Sequence, residues 1–180
     1  MKPTFIVKGL LGLLSVCSVA NATVSPDRTR IIFNETDKSV SIKLTNQSKT
    51  QPYLAQSWVE DKNNQKTREY ISPLPPLVRL EAGEQTQVRL MGQPTLQQLP
   101  ADRESLFFYN IREIPPRTEQ KNTMQLAMQS RLKLFWRPKA IVLKEGQAVP
   151  MEKVEVSRTA SGITIKNDTP YHVTVGYIGI

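Results

Sequence analysis

The stretch Leu99-Pro-Ala-Asp-Arg-Glu-Ser-Leu-Phe-Phe-Tyr-Asn-Ile-Arg-Glu-Ile-Pro115 decides the fold. Pro100 and Asp102 carry turn chemistry, a fixed φ followed by a side chain that bonds its own backbone. Phe107, Tyr109 and Ile111 then face away from Leu106, Phe108 and Asn110, the period of a β-strand. Pro115-Pro116 ends the run, because proline offers no N–H to a ladder. A turn, an aromatic strand and a hard stop follow one another without a helical period anywhere.

Working outward, the same period recurs. Val40, Ile42 and Leu44 alternate with Ser41, Lys43 and Thr45; Leu54, Gln56 and Trp58 with Tyr53, Ala55, Ser57 and Val59; Val88 and Leu90 flank Arg89; Met124, Leu126 and Met128 alternate with Gln125, Ala127 and Gln129. Turn residues separate the runs, at Asn46-Gln-Ser48, Asp61-Lys-Asn-Asn64, Pro73 to Pro76 and Glu81-Ala-Gly83. Short strands at roughly ten-residue spacing predict an all-β chain whose first domain is an immunoglobulin-like, seven-stranded sandwich. A turn near Thr95 to Leu99 is the one helix candidate.

Arg137-Pro138 marks a change, since Pro138 ends or bends the long strand before it. β alternation resumes over residues 140–143, 151–156, 163–167 and 171–178. The reading places an N-terminal domain at residues 23–137 and a second, truncated β-sandwich domain at 138–180. About 100 residues make such a sandwich, so the second is incomplete as the sequence stands.

Residues 1–22 read as an export signal. Lys2 and Lys8 lead, residues 10–20 are apolar but shorter than a bilayer span needs, and Ala20-Asn21-Ala22 is a small-x-small cleavage site. Cleavage after Ala22 leaves a chain starting at Thr23 with no membrane anchor. Cys17, the single cysteine, leaves with the signal, so packing alone must hold the fold. Of the formal charge of +8, Lys2 and Lys8 supply two and six stay with the exported part. Its bases are interleaved with acids except over residues 131–139, so an anionic group, not nucleic acid, is the expected partner.

The inventory is poor for catalysis. Without cysteine, and with His172 the one histidine, neither a typical zinc site nor a cysteine nucleophile can be built. His172 lies inside a predicted strand, where a satisfied structural role is expected, and Gly83 is a turn glycine in no phosphate loop. The expectation is a non-enzyme with no metal and no cofactor.

Five segments in order resemble the periplasmic pilus chaperones, the PapD-like family: Val24-Ser-Pro-Asp-Arg-Thr-Arg30, Pro52-Tyr-Leu-Ala-Gln-Ser-Trp58, the opening stretch, Arg131-Leu-Lys-Leu-Phe-Trp-Arg-Pro138 and Asn167-Asp-Thr-Pro-Tyr171. The signature positions are Leu99, Pro100, Asp102, Arg103, Glu104, Ser105, Leu106, Phe108, Asn110, Ile111, Ile114 and Pro115. The resemblance implies two immunoglobulin-like domains in a periplasmic protein. Such a protein completes pilus (fimbrial) subunits by donor-strand complementation and passes them to an outer-membrane usher.

The family's roles carry over residue by residue. Arg30 and Lys133 would grip the C-terminal carboxylate of the subunit, and Met124, Leu126 and Met128 would be the donor side chains. Glu104 and Arg137 would be two members of an inter-domain salt-bridge set, whose third, acidic member would lie beyond Ile180. The ribbon would be hidden in the free protein by self-capping or dimerisation. The short polar segment Arg117-Thr-Glu-Gln-Lys-Asn-Thr123 resembles the branch that builds rod-like, adhesin-tipped pili. Two alternatives stay open: a truncated, inactive relative, and an immunoglobulin-like pilus subunit or adhesin.

Overall fold

The computed structural model describes residues 23–118, 122, 124–160 and 162–178. The signal, its cleavage site and Cys17 lie outside the described residues, as do residues 119–121 and 123 of the polar loop.

Among the described residues ten strands precede Pro138: β1 (Val24–Pro26), β2 (Arg30–Asn34), β3 (Ser39–Asn46), β4 (Tyr53–Glu60), β5 (Lys66–Thr67), β6 (Ile71–Leu74), β7 (Leu77–Leu80), β8 (Gln85–Gly92), β9 (Ser105–Ile114) and β10 (Gln129–Arg137). They form two facing sheets, one in the order β1-β3-β8-β6, the other in the order β2-β10-β9-β4-β5 with β7 also on β4. Seven expected runs become ten strands because two of them change sheets and the short β5 adds one more on β4. Pro26 ends β1 in the first sheet before β2 begins in the second, and Pro75-Pro76 separates β6 from β7 in the same way. Prolines have no N–H to continue a ladder, so the chain crosses over there.

The predicted alternation holds inside the sheets. Ile31 and Phe33, Ile42 and Leu44, Val88 and Leu90, Phe107, Tyr109 and Ile111, and Leu132, Leu134 and Trp136 all point into one closed core. Gly92 lies close under the core: a Cβ there would come 2.9 Å from Leu96 Cδ1 and 3.2 Å from the Phe33 ring, so a larger residue would have to push these side chains aside. Pro94–Gln98 forms a 3-10 turn where the helix candidate lay.

Inside the core, Ser57 Oγ and Tyr109 Oη are hydrogen-bonded at 2.9 Å. Burial pushes the Tyr109 hydroxyl up to about 12, with the Ser57 bond pulling in the opposite direction. The folded state therefore keeps its proton where an exposed tyrosine, near 10.0, has lost it. The linkage sign follows: this tyrosine removes stability as pH climbs above 10, since the unfolded chain releases the proton first. In an ultraviolet phenolate titration Tyr109 should ionise last, together with unfolding. Tyr109→Phe should cost about 1–3 kcal/mol at neutral pH by leaving the Ser57 hydroxyl unpaired, measured by urea unfolding.

Past Pro138 the expectations need correction. Residues 140–143 form no strand, because Lys139–Ile141 is a 3-10 turn. Met151–Lys153 is another such turn, and the strand expected from Met151 starts at Val154. β11 (Val154–Thr159) and β12 (Gly162–Asn167) pair as a hairpin. Val156 opposes Ile165 and Arg158 opposes Ile163 on one face, whereas Glu155 opposes Lys166 and Ser157 opposes Thr164 on the other, so the apolar residues gather on one side of the hairpin. Residues 172–178 make no ladder, and His172 is therefore not a strand residue. Alternation reports a face to cover, but a strand also needs a partner, and residues 172–178 find none among the described residues.

Candidate functional site

Arg30 opens β2, which runs parallel to β10 with Arg30 directly opposite Lys133. Ile31 and Leu134 turn into the core, so alternation sends Arg30 and Lys133 outward, and both are exposed. Adjacent strands lie about 4.8 Å apart, which sets the two cations side by side. Among the described residues neither has an ion pair or a side-chain hydrogen bond. Their neighbours on this face differ. Arg131 bonds Asn64, reaches Glu60 at 3.4 Å and lies 3.6 Å over the Phe108 ring. Arg112 lies over Trp58 and bonds Gln129. Arg30 and Lys133 thus form an uncommitted cationic pair, fit to receive a carboxylate.

Upstream of Lys133, β10 loses its β2 neighbour. Pairing with β2 covers only Lys133 to Arg137, whereas pairing with β9 continues back to Gln129. Among the described residues no strand pairs with the other edge of residues 129–132, which is therefore open. Before them, residues 124–128 form no strand, which corrects the expectation that Met124, Leu126 and Met128 sit on one. The reason is geometric: β9 ends at Ile114 and Pro115-Pro116 offers no donors, so the ladder has nothing to extend against. One backbone bond, Glu113 N–H to the Met128 carbonyl at 3.0 Å, marks where pairing stops. Met124 is 84% exposed, Leu126 73% and Met128 40%. Their side chains do not fill their own core.

The third cluster joins β9, β10 and the later chain. Arg137 donates Nε–H and Nη2–H to one Glu104 oxygen at 3.0 and 2.8 Å. The other oxygen accepts the His172 backbone N–H at 2.7 Å and faces its Nδ1 at 3.2 Å. Glu104 N–H bonds the Pro170 carbonyl, and Tyr171 Oη–H the Ile141 carbonyl. The His172 ring packs on Phe135, and the Arg137 guanidinium lies over Tyr171. Burial pushes the Glu104 carboxyl up, but the bonds from His172 and Arg137 outweigh it and hold the group below its ordinary 4.5.

The Glu104–Arg137 pair is buried, with 2% and 9% of the two side chains exposed. His172 adds to this pair from the later chain, through its backbone N–H and its ring. The sequence signal for His172 was only its position directly after the Asn167-Asp-Thr-Pro-Tyr171 turn.

The remaining signature residues surround these clusters. Leu99, Pro100, Arg103, Ser105 and Leu106 line a cleft of about 430 Å³ with Glu104 and His172. Asp102 pairs with Arg103 at 2.7 Å on the surface. Phe108 and Asn110 lie on the outward face of β9, Ile111 is in the core, and Ile114 and Pro115 end the strand.

Residues 23–142 match the family described as "Pili and flagellar-assembly chaperone, PapD N-terminal domain". Over 171 residues the chain is 54% identical to the "Uncharacterized fimbrial chaperone YqiH" of Escherichia coli (strain K12), covering 93% of this chain and 69% of that one. Over 168 residues it is 45% identical to the "Chaperone protein PapD" of Escherichia coli, covering 92% and 70%. Its fold matches a chain of the "Salmonella enterica SafA pilin in complex with the SafB chaperone" at a TM-score of 0.69 and 26% identity, over 86% of this chain and 72% of that one. The chain spans about seven-tenths of each of these relatives.

Proposed function

The chain belongs to the pili and flagellar-assembly chaperone family, and we propose that it holds pilus subunits in the periplasm by offering them the ribbon of residues 124–132. The observation that carries this reading is the open β10 edge. It runs from three exposed apolar side chains, through unpaired backbone, to a cationic pair with no partner among the described residues.

A subunit lacking its last strand needs backbone hydrogen bonds and apolar side chains at alternate positions, and residues 124–132 can supply both. Main-chain pairing reads no sequence, whereas Met124, Leu126 and Met128 would enter successive pockets. Methionine adapts to uneven pockets, which suits a helper that must release its cargo. Arg30 and Lys133 would hold the subunit's C-terminal carboxylate and so fix the register of the guest strand. In this reading residues 23–137 form the chaperone domain and residues 138–180 begin a second one. The Glu104–Arg137 pair with His172 then ties one to the other. Release goes to an outer-membrane usher, and a self-capping dimer covers the ribbon between clients.

The test is co-expression with a pilus subunit that lacks its final strand. Leu126→Asp should reduce recovery of the complex at least tenfold, since burying one leucine contributes about 1.5–3 kcal/mol and a carboxylate adds a desolvation cost. Unchanged recovery overturns the donor reading.

A further inference from the structure

Glu113 breaks the pattern of its own strand. The inward positions of β9 run Phe107, Tyr109, Ile111 and then Glu113, an acid where the alternation calls for an apolar residue. It is only 4% exposed. Among the described residues no cation pairs with it. Its carboxylate accepts two main-chain N–H groups instead, Val24 N–H on Oε2 at 2.9 Å and Met128 N–H on Oε1 at 3.4 Å. A buried carboxylate held only by amides is costly to keep.

The two partners belong to different parts of the molecule. Val24 starts β1, in the sheet opposite β9. Met128 is the last residue of the exposed segment before β10. The Glu113 backbone N–H also holds the Met128 carbonyl. One residue therefore grips both backbone groups of Met128 and ties them to the far sheet. Because the two carboxylate oxygens are rigidly joined, the root of the ribbon cannot move away from β1 without breaking a bond.

We infer that Glu113 is a positioning residue that moors the donor ribbon: it fixes the root at Met128, and thereby the direction in which Leu126 and Met124 are presented. This inference rests on the donor reading for its consequence, but not for the mooring itself. A glutamine has the same shape and one oxygen fewer to accept with, so Glu113→Gln cannot receive both amides.

The experiment has two arms. In the free full-length protein, amide hydrogen exchange at Val24 and Met128 should speed about tenfold in Glu113→Gln, the loss expected for one charge-assisted bond, while Leu132 and Leu134 stay protected. In subunit co-expression, Glu113→Gln should lower recovery about tenfold. Ile42→Val, a core change on β3 remote from the ribbon, is the control chosen to lose comparable stability, and it should leave recovery intact. Unchanged exchange at Met128 overturns the mooring. Equal losses of recovery in the two variants reduce Glu113 to a structural residue and overturn it as well. If Leu126→Asp leaves recovery intact, the donor reading falls instead, and the exchange arm alone decides whether Met128 is moored.

Discussion

Replacing Arg30 and Lys133 together by alanine should abolish recovery of a subunit complex, and either replacement alone should reduce it by about tenfold or more. A carboxylate accepting a charge-assisted hydrogen bond gains about 1.5–3 kcal/mol from it, and each 1.4 kcal/mol is a factor of ten in binding. Two such bonds to one terminal carboxylate thus supply much of what a transient complex needs.

The fold itself should not register the change. Both side chains are exposed and unpaired among the described residues, and surface substitutions of that kind stay within about 0.5 kcal/mol. Removing two neighbouring cations even relieves a repulsion. The expected pattern is therefore an unaltered urea midpoint with no complex. Arg131 is unsuitable as a control because its side chain covers Phe108 and bonds Asn64. Lys43, exposed on β3 of the other sheet, is a better one, and Lys43→Ala should bind normally. Full recovery of the double variant removes the carboxylate clamp from the mechanism.

How much of this was legible in the sequence depended on how local the cause was. The sandwich could be read because β2, β3, β4 and β8 each bury one face, and burial on one face writes itself as period two. The juxtaposition of Arg30 and Lys133 could not come from period, since it needs the parallel pairing of strands a hundred residues apart; the family resemblance supplied it.

The donor segment was read as a strand because Met124, Leu126 and Met128 alternate correctly. Its ladder is missing because Pro115-Pro116 removes the donors on the other side. Glu113 was passed over because an acid next to Arg112 reads as surface, and only the three-dimensional arrangement brings Val24 beside it. The region after Pro138 misled most. Its alternation is real in β11 and β12, but residues 140–143 and 172–178 alternate with no strand among the described residues to pair with. The role of His172 depends on Glu104, 68 positions earlier, and no periodicity reports such a contact.

That contact leads to the second large effect. Arg137→Ala should destabilise the junction by about 3–5 kcal/mol, the usual loss when one partner of a buried ion pair is removed. Glu104 would remain, with 2% of its side chain exposed, facing only His172. Tyr171 would also lose the guanidinium over its ring. Proteolysis should then release residues 138–180 while the sandwich survives, because the core cluster contains neither Glu104 nor Arg137.

The acid limb distinguishes charge from packing. Glu104 has its folded pKa below 4.5, so it stabilises the fold above that value, and the contribution is lost as pH falls through the folded pKa. Wild-type stability should therefore drop on acidification below about pH 4.5. Glu104→Gln should start lower at pH 7 and lose less on the way down. If Arg137→Ala matches the wild type in urea at pH 7, or if the two acid limbs run parallel, the pair does not fasten the later chain to the sandwich. Tyr171 and Pro170 would then be carrying the junction through their contacts with Ile141 and with the Glu104 backbone.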